Sequence, residues 1–215
     1  MTTVRERLAG LPTAALSDAL DRMGRPGSLP GIGPLTGGNI AGPAYTIRYE
    51  PADARPGTVG DFLDDVGPGS VVLIDNAGRT DCTVWGGIMT EVAAARGIAG
   101  TVIHGACRDT ATIRARGYPM WSSGRFMRTG KDRVRLAEEQ GELCIDGVTI
   151  APGDLVRADE DGVVVVPTSL VAEVVDIAAG IHRVESEIVA AVRNGSSLRA
   201  ARADFGYHQL QRRQP

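Results

Sequence analysis

Lysine is almost absent from this sequence: of the 23 basic residues only Lys131 is a lysine, and the others are arginines. A Schiff-base mechanism, which needs a lysine amine, therefore has one candidate in the whole chain. Histidine is nearly as scarce, and His104, His182 and His208 lie far apart in sequence. A zinc site built from three histidines is therefore not expected.

Cysteine pairs and long apolar runs are also missing. Cys82, Cys107 and Cys144 are odd in number and form no CxxC motif, which argues against a disulfide scaffold and is typical of a reducing compartment. The N-terminal segment has no apolar leader, and no apolar run reaches the roughly 18 residues that a membrane helix needs. We therefore expect a cytoplasmic protein that does not associate with membranes.

Acidic residues slightly outnumber basic ones, 26 against 23, for a net charge of −3. Nonspecific binding of nucleic acid needs a basic face, so this balance argues against a nucleic-acid partner. Apolar residues make up 43% of the chain, which is enough for a buried core rather than a disordered chain. Glycine occupies 28 positions, and this predicts many tight turns and close backbone approaches.

Apolar periodicity and turn residues divide the sequence into helices and strands. Helices are predicted over residues 12–23, 59–66, 86–96, 109–116, 169–193 and 197–204. Strands are predicted over 44–49, 70–74, 101–103 and 120–122, followed by hairpins with turns at Asp146-Gly147 and Asp161-Gly162. The stretch 25–43, rich in glycine and proline, is expected to be a loop. This order predicts a mixed α/β domain with parallel central strands and a helical tail.

Two details of the helices bear on capping and assembly. Thr13 is placed to cap the first helix. The long helix near the C-terminus carries an apolar stripe of Val171, Val174, Val175 and Ala178. We expect that a single domain does not fully cover this stripe and that an oligomer buries it.

Two glycine-rich segments come close to nucleotide-binding loops but miss their spacing. In residues 31–38, GIGPLTGG, Thr36 stands where GxGxxG needs its third glycine. In residues 124–132, GRFMRTGKD, five residues separate the glycines and Asp132 replaces the Ser or Thr of a phosphate loop. We therefore expect no nucleotide fold at either segment.

The segment 85–109, WGGIMTEVAAARGIAGTVIHGACRD, carries the most chemistry. Gly86-Gly87 open a helix, and the free N–H groups of Gly87, Ile88 and Met89 favour an anion in front of them. A buried strand and then Arg108-Asp109 follow, at the start of another helix. In an open α/β sheet, ligands bind beyond the carboxyl ends of the strands, so both helix N-termini are expected to face one crevice.

Arg108 and Asp109 have complementary abilities. The planar guanidinium of Arg108 is suited to grip a carboxylate, and Asp109 offers the hard oxygen that Mg²⁺ or Mn²⁺ prefers. Pattern alone leaves another interpretation open. Gly86-Gly87 can be a simple turn, and Arg108-Asp109 a surface pair in which Asp109 caps its helix.

This segment resembles the core motif of the family that unites 4-hydroxy-4-methyl-2-oxoglutarate (HMG) aldolase with the regulator of ribonuclease activity A, RraA. The family pattern is G-x20-R-D, and here 20 residues separate Gly87 from Arg108, which Asp109 follows. Three further segments are similar to the family: LSDALDRMG at 16–24, GSVVLIDNAG at 69–78 and PGDLVRADEDGVVVVP at 152–167. The resemblance covers roughly residues 13–195.

The resemblance implies a swivelling β/β/α domain over residues 1–195, a C-terminal helical extension over 196–215, and a homotrimer or hexamer with active sites between subunits. It also implies that the backbone of Gly86 to Met89 and the side chain of Arg108 hold the pyruvyl part of a small 2-oxo acid. Asp109 would bind the divalent metal, and Glu185 would reach into the neighbouring subunit's site. A solvated helix face is the alternative for Glu185.

The implied reaction is cleavage of a C–C bond next to a 2-oxo acid: retro-aldol release of pyruvate, with oxaloacetate decarboxylation as a side reaction. The same family leaves a rival from another class, a noncatalytic regulator that binds a ribonuclease. One departure concerns the aldol reaction. Many aldolases of the family carry an acidic residue where Gly87 stands, so we expect decarboxylation to survive better than HMG cleavage.

Other polar residues have ordinary interpretations beside their functional ones. His104 is expected to be a satisfied core or cleft histidine, with proton transfer as the minor alternative. Cys107 is expected to be a buried structural thiol. Asp75 and Asn76 close a strand on the crevice side and either shape the pocket or serve the turn. The acidic residues 159–161 are expected to form a hairpin turn rather than a metal site.

Overall fold

The computed structural model describes residues 3–53, 57 and 59–210. The helices are α1 (Val4–Ala9), α2 (Thr13–Arg22), α3 (Gly87–Ala95), α4 (Thr110–Arg116), α5 (Val171–Arg193) and α6 (Leu198–Asp204). The strands are β1 (Gly33–Pro34), β2 (Ile40–Pro51), β3 (Val71–Asp75), β4 (Gly100–Cys107), β5 (Met120–Arg125), β6 (Val134–Glu139), β7 (Leu143–Ile145), β8 (Val148–Ile150), β9 (Leu155–Asp159) and β10 (Gly162–Val166). Short 3₁₀ turns cover Asp61–Asp64, Thr168–Leu170 and Tyr207–Gln209.

One mixed, nearly closed sheet organises the chain, with strand order β1-β5-β4-β3-β2-β9-β10 and with β6 also paired to β2. Strands β2, β3, β4 and β5 run parallel, and all other pairs are antiparallel. The predicted mixed α/β class with parallel central strands is therefore confirmed. Because β3, β4 and β5 are parallel, their carboxyl ends meet at one edge of the sheet, and α3 and α4 begin near this edge.

Strand β2 joins the two halves of the sheet. Its first residues, Ile40–Pro43, pair with β9, and from Ala44 onward it pairs with β3 and β6. The prediction of a loop or irregular segment over 25–43 is therefore wrong at Gly33–Pro34, which form β1, and at its end, where β2 begins. Gly42 explains the error at the end, since a Cβ there would lie 2.4 Å from the carbonyl oxygen of Gly69. The glycine permits a close backbone approach inside a strand rather than marking a loop.

Three apolar clusters hold the layers together. The first lies between one face of the sheet and α3, and the second lies between the opposite face and the β7–β8 hairpin. The third packs α1, α2 and α5 against β10. Val171, Val174, Val175 and Ala178 belong to this third cluster and are at most 4% exposed. The expectation that a partner must cover this stripe is wrong, because α1 and α2 of the same chain cover it.

Two further predictions need correction. The helix expected over 59–66 is only the 3₁₀ turn Asp61–Asp64. Thr13 is the first residue of α2 rather than its cap: Pro12 holds the cap position, and the Thr13 hydroxyl donates to Asp159 Oδ1 over 2.6 Å. The proline side chain has no acceptor for the first N–H groups of α2. Thr13 lies one residue inside the helix, and its hydroxyl bonds to Asp159 instead.

A buried polar network fixes the N-terminal segment to the β9–β10 hairpin. Asp159 accepts hydrogen bonds from the backbone N–H and the hydroxyl of Thr13 and from the N–H of Asp161. Arg157, whose side chain is 5% exposed, donates to the carbonyl oxygens of Leu11, Ile40 and Ala158. Burial acts to raise the pKa of Asp159, but these hydrogen bonds and the charge of Arg157 together lower it. The acidic residues 159–161 form the β9–β10 hairpin turn, as expected from the sequence, although the turn lies at Glu160 and Asp161 and Gly162 already belongs to β10.

The helical extension consists of α6 and a final 3₁₀ turn, which confirms the predicted short helix at 197–204. Arg202 lies over the ring of Tyr207, with its guanidinium carbon 4.7 Å from the ring centroid. The last part of the predicted tail, residues 211–215, lies outside the described residues. In the part of the chain that is described, no helix combines the length and apolarity needed to cross a bilayer.

Candidate active site

The N-termini of α3 and α4 are joined by one hydrogen bond. The N–H of Gly87, the first residue of α3, donates to Asp109 Oδ2 over 2.8 Å. Asp109 is the residue that precedes α4, yet its side chain makes no capping bond to α4. It instead satisfies a donor at the start of α3, where Gly86 offers no side chain for that purpose. The predicted meeting of the two helix starts is therefore present, and it is mediated by Asp109.

The backbone of Asp109 is in the left-handed region, with φ 58° and ψ 37°. This conformation is costly for most residues, although aspartate tolerates it better than most. It allows the chain to turn sharply between β4 and α4. The side chain of Asp109 remains 46% exposed, so one carboxylate group both ties the two helices together and faces the solvent. This mixture of strain and exposure is typical of functional positions.

Gly86 and Gly87 have different roles beside this carboxylate. A Cβ on Gly86 would lie 2.8 Å from Asp109 Oδ2 and 3.3 Å from Arg108 Nε, too close without a shift. A Cβ on Gly87 would lie 3.5 Å from the same carboxylate oxygen, which is ordinary contact. A side chain at Gly86 would therefore displace the Asp109 carboxylate, whereas one at Gly87 would not.

Arg108 lies next to the same carboxylate, with its Nε 3.8 Å from Asp109 Oδ2. Its side chain is 41% exposed, so most of its donors remain available to a ligand. Its backbone N–H donates to the carbonyl oxygen of Trp85 over 3.0 Å, which fixes the end of β4 to the start of α3. Arg108 and Asp109 thus form an exposed pair in the two-residue connection between β4 and α4, which this backbone hydrogen bond ties to the start of α3.

Trp85 and Thr90 support this frame, and sequence reasoning missed both. The indole N–H of Trp85 donates to the Thr90 hydroxyl over 3.0 Å, and that hydroxyl donates to the carbonyl oxygen of Gly86. The Trp85 ring stacks on Tyr118, with centroids 6.0 Å apart. A tryptophan immediately before the two glycines is a signal that could have identified this support.

Two cavities meet at Arg108 and Asp109. The first, of about 180 Å³, lies at the start of α3 and is lined by Val59, Thr83, Trp85, Gly86, Gly87, Ile88, Met89, Arg108, Asp109 and Thr129. The second, of about 360 Å³, is lined by Arg108, Asp109, Thr110, Arg125, Phe126 and Met127. All the residues predicted from the 85–109 segment therefore lie together. The arrangement suits a ligand whose anionic end lies in the first cavity, near α3, and whose remainder extends past Asp109 into the second cavity.

The donors suit a hydrated divalent cation better than a site built by the protein alone. Among the described residues, no group of three or more His, Cys, Asp or Glu side chains could hold a metal ion. Asp109 offers one exposed carboxylate, and Mg²⁺ commonly retains several waters beside one or two carboxylates and its substrate. The chemistry of Asp109 therefore fits Mg²⁺ or Mn²⁺ with a substrate present.

Glu185 lies outside both cavities. It is a half-buried residue of α5 and lines a separate surface concavity with residues such as His182 and Arg193. One copy of the chain therefore does not bring Glu185 to Asp109, and its role in a neighbouring subunit's site stays a prediction.

Two large apolar side chains do flank the cavities: Ile88 is 84% exposed and Met127 is 73% exposed.

His104 lies on the other face of the sheet. It alternates with Ile103, which packs in the α3 cluster, so its side chain points toward the β7–β8 hairpin. His104 Nδ1 is 2.8 Å from Asp75 Oδ1, and this hydrogen bond raises the pKa of His104 against the opposing effect of burial, with Asp75 and Asp146 charges adding to the rise. The histidine is satisfied by Asp75, as expected, and does not reach the candidate site.

Cys107 is buried, which raises the pKa of its thiol.

Comparison with known proteins gives one family. The model of the family described as "RraA-like: Aldolase/RraA" matches residues 13–165. Protein DlpA of Legionella pneumophila is 44% identical over 97% of this chain, but the chain spans only 35% of that protein. A protein of Halalkalibacterium halodurans, whose name gives it provisionally as a 4-hydroxy-4-methyl-2-oxoglutarate aldolase, is 34% identical over 73% of each chain. The crystal structure of an uncharacterized protein from Pseudomonas syringae pv. tomato is 46% identical, covers 94% of this chain and 93% of its own, and has a TM-score of 0.89.

The pair of His104 and Asp75 makes stability depend on pH. Folding raises the pKa of His104, so the protonated histidine stabilises the folded protein. This stabilisation is complete below the ordinary histidine pKa of 6.5 and is lost as the pH rises through the raised pKa of the folded state. We expect the melting temperature of the wild type to exceed that of His104→Gln by more at pH 5.5 than at pH 9. Thermal melts of both proteins across this range measure the difference. A difference that grows with pH would contradict a charged pair.

Proposed function

The chain belongs to the RraA-like family, and we propose that it is a divalent-metal-dependent lyase that cleaves a C–C bond next to the 2-oxo group of a small acid and releases pyruvate. The observation that carries this proposal is the exposed Asp109 carboxylate, which is held by Gly87 N–H beside the exposed Arg108 at the start of α3. A hard oxygen donor and a carboxylate receptor at one cavity are what a 2-oxo acid and a cation require.

The substrate's 2-oxo acid end fits the first cavity. The N–H of Gly87 is taken by Asp109, so the N–H groups of Ile88 and Met89 are those left at the start of α3 to favour its carboxylate, and Arg108 adds a charged donor. Trp85 and Met89 add apolar surface to the cavity lining, and we expect the part of the substrate that becomes the methyl group of pyruvate to lie against them. The backbone of Gly86 to Met89 therefore serves as the binding surface that the family resemblance implies.

In retro-aldol cleavage, a base takes the proton of the 4-hydroxyl and the C3–C4 bond breaks. Its electron pair forms the enolate of pyruvate, and protonation at C3 completes the product. Asp109 would hold a divalent cation, which would supply Lewis acidity toward the 2-oxo group. Arg108 is placed to stabilise the negative charge that develops on the enolate oxygen. No lysine is needed, in agreement with a chain that has only Lys131.

A noncatalytic regulator is the alternative within the same family. Such a protein needs a docking surface but has no use for an exposed carboxylate and arginine at a cavity. Asp109 and Arg108 therefore favour the enzyme, and pyruvate release measured with and without Mg²⁺ separates the two functions. The other reaction suggested by the family resemblance is oxaloacetate decarboxylation. It passes through the same enolate but needs no base to remove a hydroxyl proton.

The function of Asp109 is tested by Asp109→Asn. The asparagine carbonyl oxygen keeps an acceptor for Gly87 N–H, but the charge that favours a cation is lost. We expect Mg²⁺-dependent pyruvate release to fall about 10²-fold or more, the loss typical of a group that stabilises transition-state charge. Asp161→Asn, on the distant β9–β10 turn, is the control. Wild-type activity in Asp109→Asn at ordinary Mg²⁺ concentration would exclude the proposed metal ligand.

Position 87 tests which bond is cut. Gly87 offers no side chain to act as the base, and a lost general base costs about 10²–10⁴-fold, in retro-aldol cleavage alone. We expect oxaloacetate decarboxylation to be easier to detect than HMG cleavage. The Cβ of Gly87→Asp is accommodated, so this variant should raise the ratio of HMG cleavage to decarboxylation. Comparing kcat/KM for both substrates measures it, with Gly87→Ala as control. A wild type that prefers HMG would require a base elsewhere.

We also propose that the active protein is a homotrimer or hexamer whose neighbouring copy completes the site. Ile88 and Met127 support this, because two large apolar side chains are exposed at the rims of the cavities. Burial of such side chains against a second copy is favourable. Glu185 of the neighbouring copy would then be an acidic group near the substrate, where position 87 supplies none.

Sedimentation of wild type and of Met127→Glu tests the assembly. We expect a trimer or hexamer for the wild type at micromolar concentration and smaller species for the variant, because a charge at a buried contact is costly. Val4→Glu places the same charge at an exposed apolar position of α1 and is the control. A wild type that sediments as a monomer would contradict both the assembly and the role of Glu185.

A further inference from the structure

The second cavity is built by the end of β5. Arg125 is in register with Cys107 of β4, and the N–H of Phe126 donates to the Cys107 carbonyl oxygen over 3.0 Å. This pairing places residues 125–127 directly beside Arg108 and Asp109, which line the cavity from its other side. Because Arg108 and Asp109 line both cavities, a ligand bound in the first cavity can extend into the second.

Arg125 is an exposed arginine at the edge of the second cavity. Arg48, Arg79 and Arg116 lie in ion pairs with carboxylates. In the described residues, Arg125 has neither an ion pair nor a hydrogen bond, although it ends a strand and lines a cavity. An exposed guanidinium that no protein group occupies retains all five donors for a ligand.

The charge around the second cavity is that of an anion receptor. Two arginines, Arg108 and Arg125, line it, against one carboxylate, Asp109, which the proposed cation would neutralise. The positive charges of Arg114, on α4, and of Arg125 both act to lower the pKa of the Cys107 thiol, against the larger effect of its burial. Phe126 and Met127 add apolar surface next to these charges. The lining therefore suits a short carbon chain that ends in a carboxylate.

We propose that Arg125 is a specificity-determining residue, which binds the distal carboxylate of the substrate in the second cavity while Arg108 binds the 2-oxo acid end. This inference rests on the proposed function for the orientation of the substrate across Asp109. The distal group, which leaves with the carbonyl product, then lies against Arg125, Phe126 and Met127. Arg125 takes no part in breaking the bond.

A matched pair of substrates tests this assignment. 4-Hydroxy-2-oxoglutarate and 4-hydroxy-2-oxopentanoate differ only in carrying a carboxylate or a methyl group on C4, and cleavage of C3–C4 gives pyruvate with glyoxylate or acetaldehyde. We expect Arg125→Ala to lower the ratio of kcat/KM for the diacid over the monoacid about 10–100-fold, the size of a lost charged hydrogen bond. The change should appear mainly in KM, because the same contact exists before and during the reaction.

Two variants control the experiment. Arg125→Lys keeps the charge but loses the planar fork, so it should retain part of the preference. Arg128→Ala removes a positive charge from the same loop, where Arg128 lies over the Phe126 ring and does not line the cavity. The substrate ratio should change less than about twofold in this variant, because exposed charges at a distance are screened. An equal loss for both substrates in Arg125→Ala, or an equal shift in Arg128→Ala, would overturn the assignment.

A binding experiment separates this inference from the proposed reaction. 2-Oxoglutarate and 2-oxopentanoate lack the 4-hydroxyl and are not cleaved, but they differ in the same distal group. Calorimetry with Mg²⁺ should show that wild type prefers the diacid and that Arg125→Ala loses the preference. If this holds while no 4-hydroxy-2-oxo acid is cleaved, the reaction is wrong and the subsite stands. If cleavage occurs without a preference that depends on Arg125, the subsite is wrong and the reaction stands.

Discussion

The hydrogen bond from Gly87 N–H to Asp109 Oδ2 is the interaction on which the candidate site depends. It joins the starts of two helices that follow neighbouring strands, and it fixes the direction of an exposed carboxylate. Two local conditions make it available. Gly86 has no Cβ, and Asp109 adopts a left-handed backbone conformation. Every other contribution to the site, from Arg108 to the two cavities, is arranged around this bond.

The parts of the fold that sequence predicts well are those with uninterrupted apolar patterns. The buried run of β3 and the helix α3 lie within one residue of their predicted limits. β2 began earlier than predicted because Gly42 serves a close contact between backbones, which resembles a loop signal in sequence. The stripe on α5 was assigned to a partner because periodicity shows that a helix face is apolar, but not which neighbour covers it.

The site divides in the same way. Arg108 and Asp109 follow a strand directly, so local pattern and family spacing are enough to place them. The support of Gly86 by Trp85 and Thr90 depends on side-chain packing, and the position of Arg125 depends on how β5 aligns with β4 across an irregular register. The alignment of β5 with β4 has no short-range signature, whereas Trp85, immediately before the two glycines, is a local signal for the support of Gly86. Glu185 lies away from Asp109 within one copy, so its proposed role depends on an assembly that the sequence of one chain does not describe.

The contrast between the two adjacent glycines has a consequence for how such a site evolves. A side chain at Gly86 would push aside the carboxylate that defines the site. Gly87 is sterically free, and it contributes only its backbone N–H, which every residue except proline also has. Glycine and aspartate codons are a single base apart, so natural variation at this position is able to add or remove an acid without dismantling the ligand frame. Under the proposed function, a single mutational step at this position would therefore change the balance between aldol cleavage and decarboxylation.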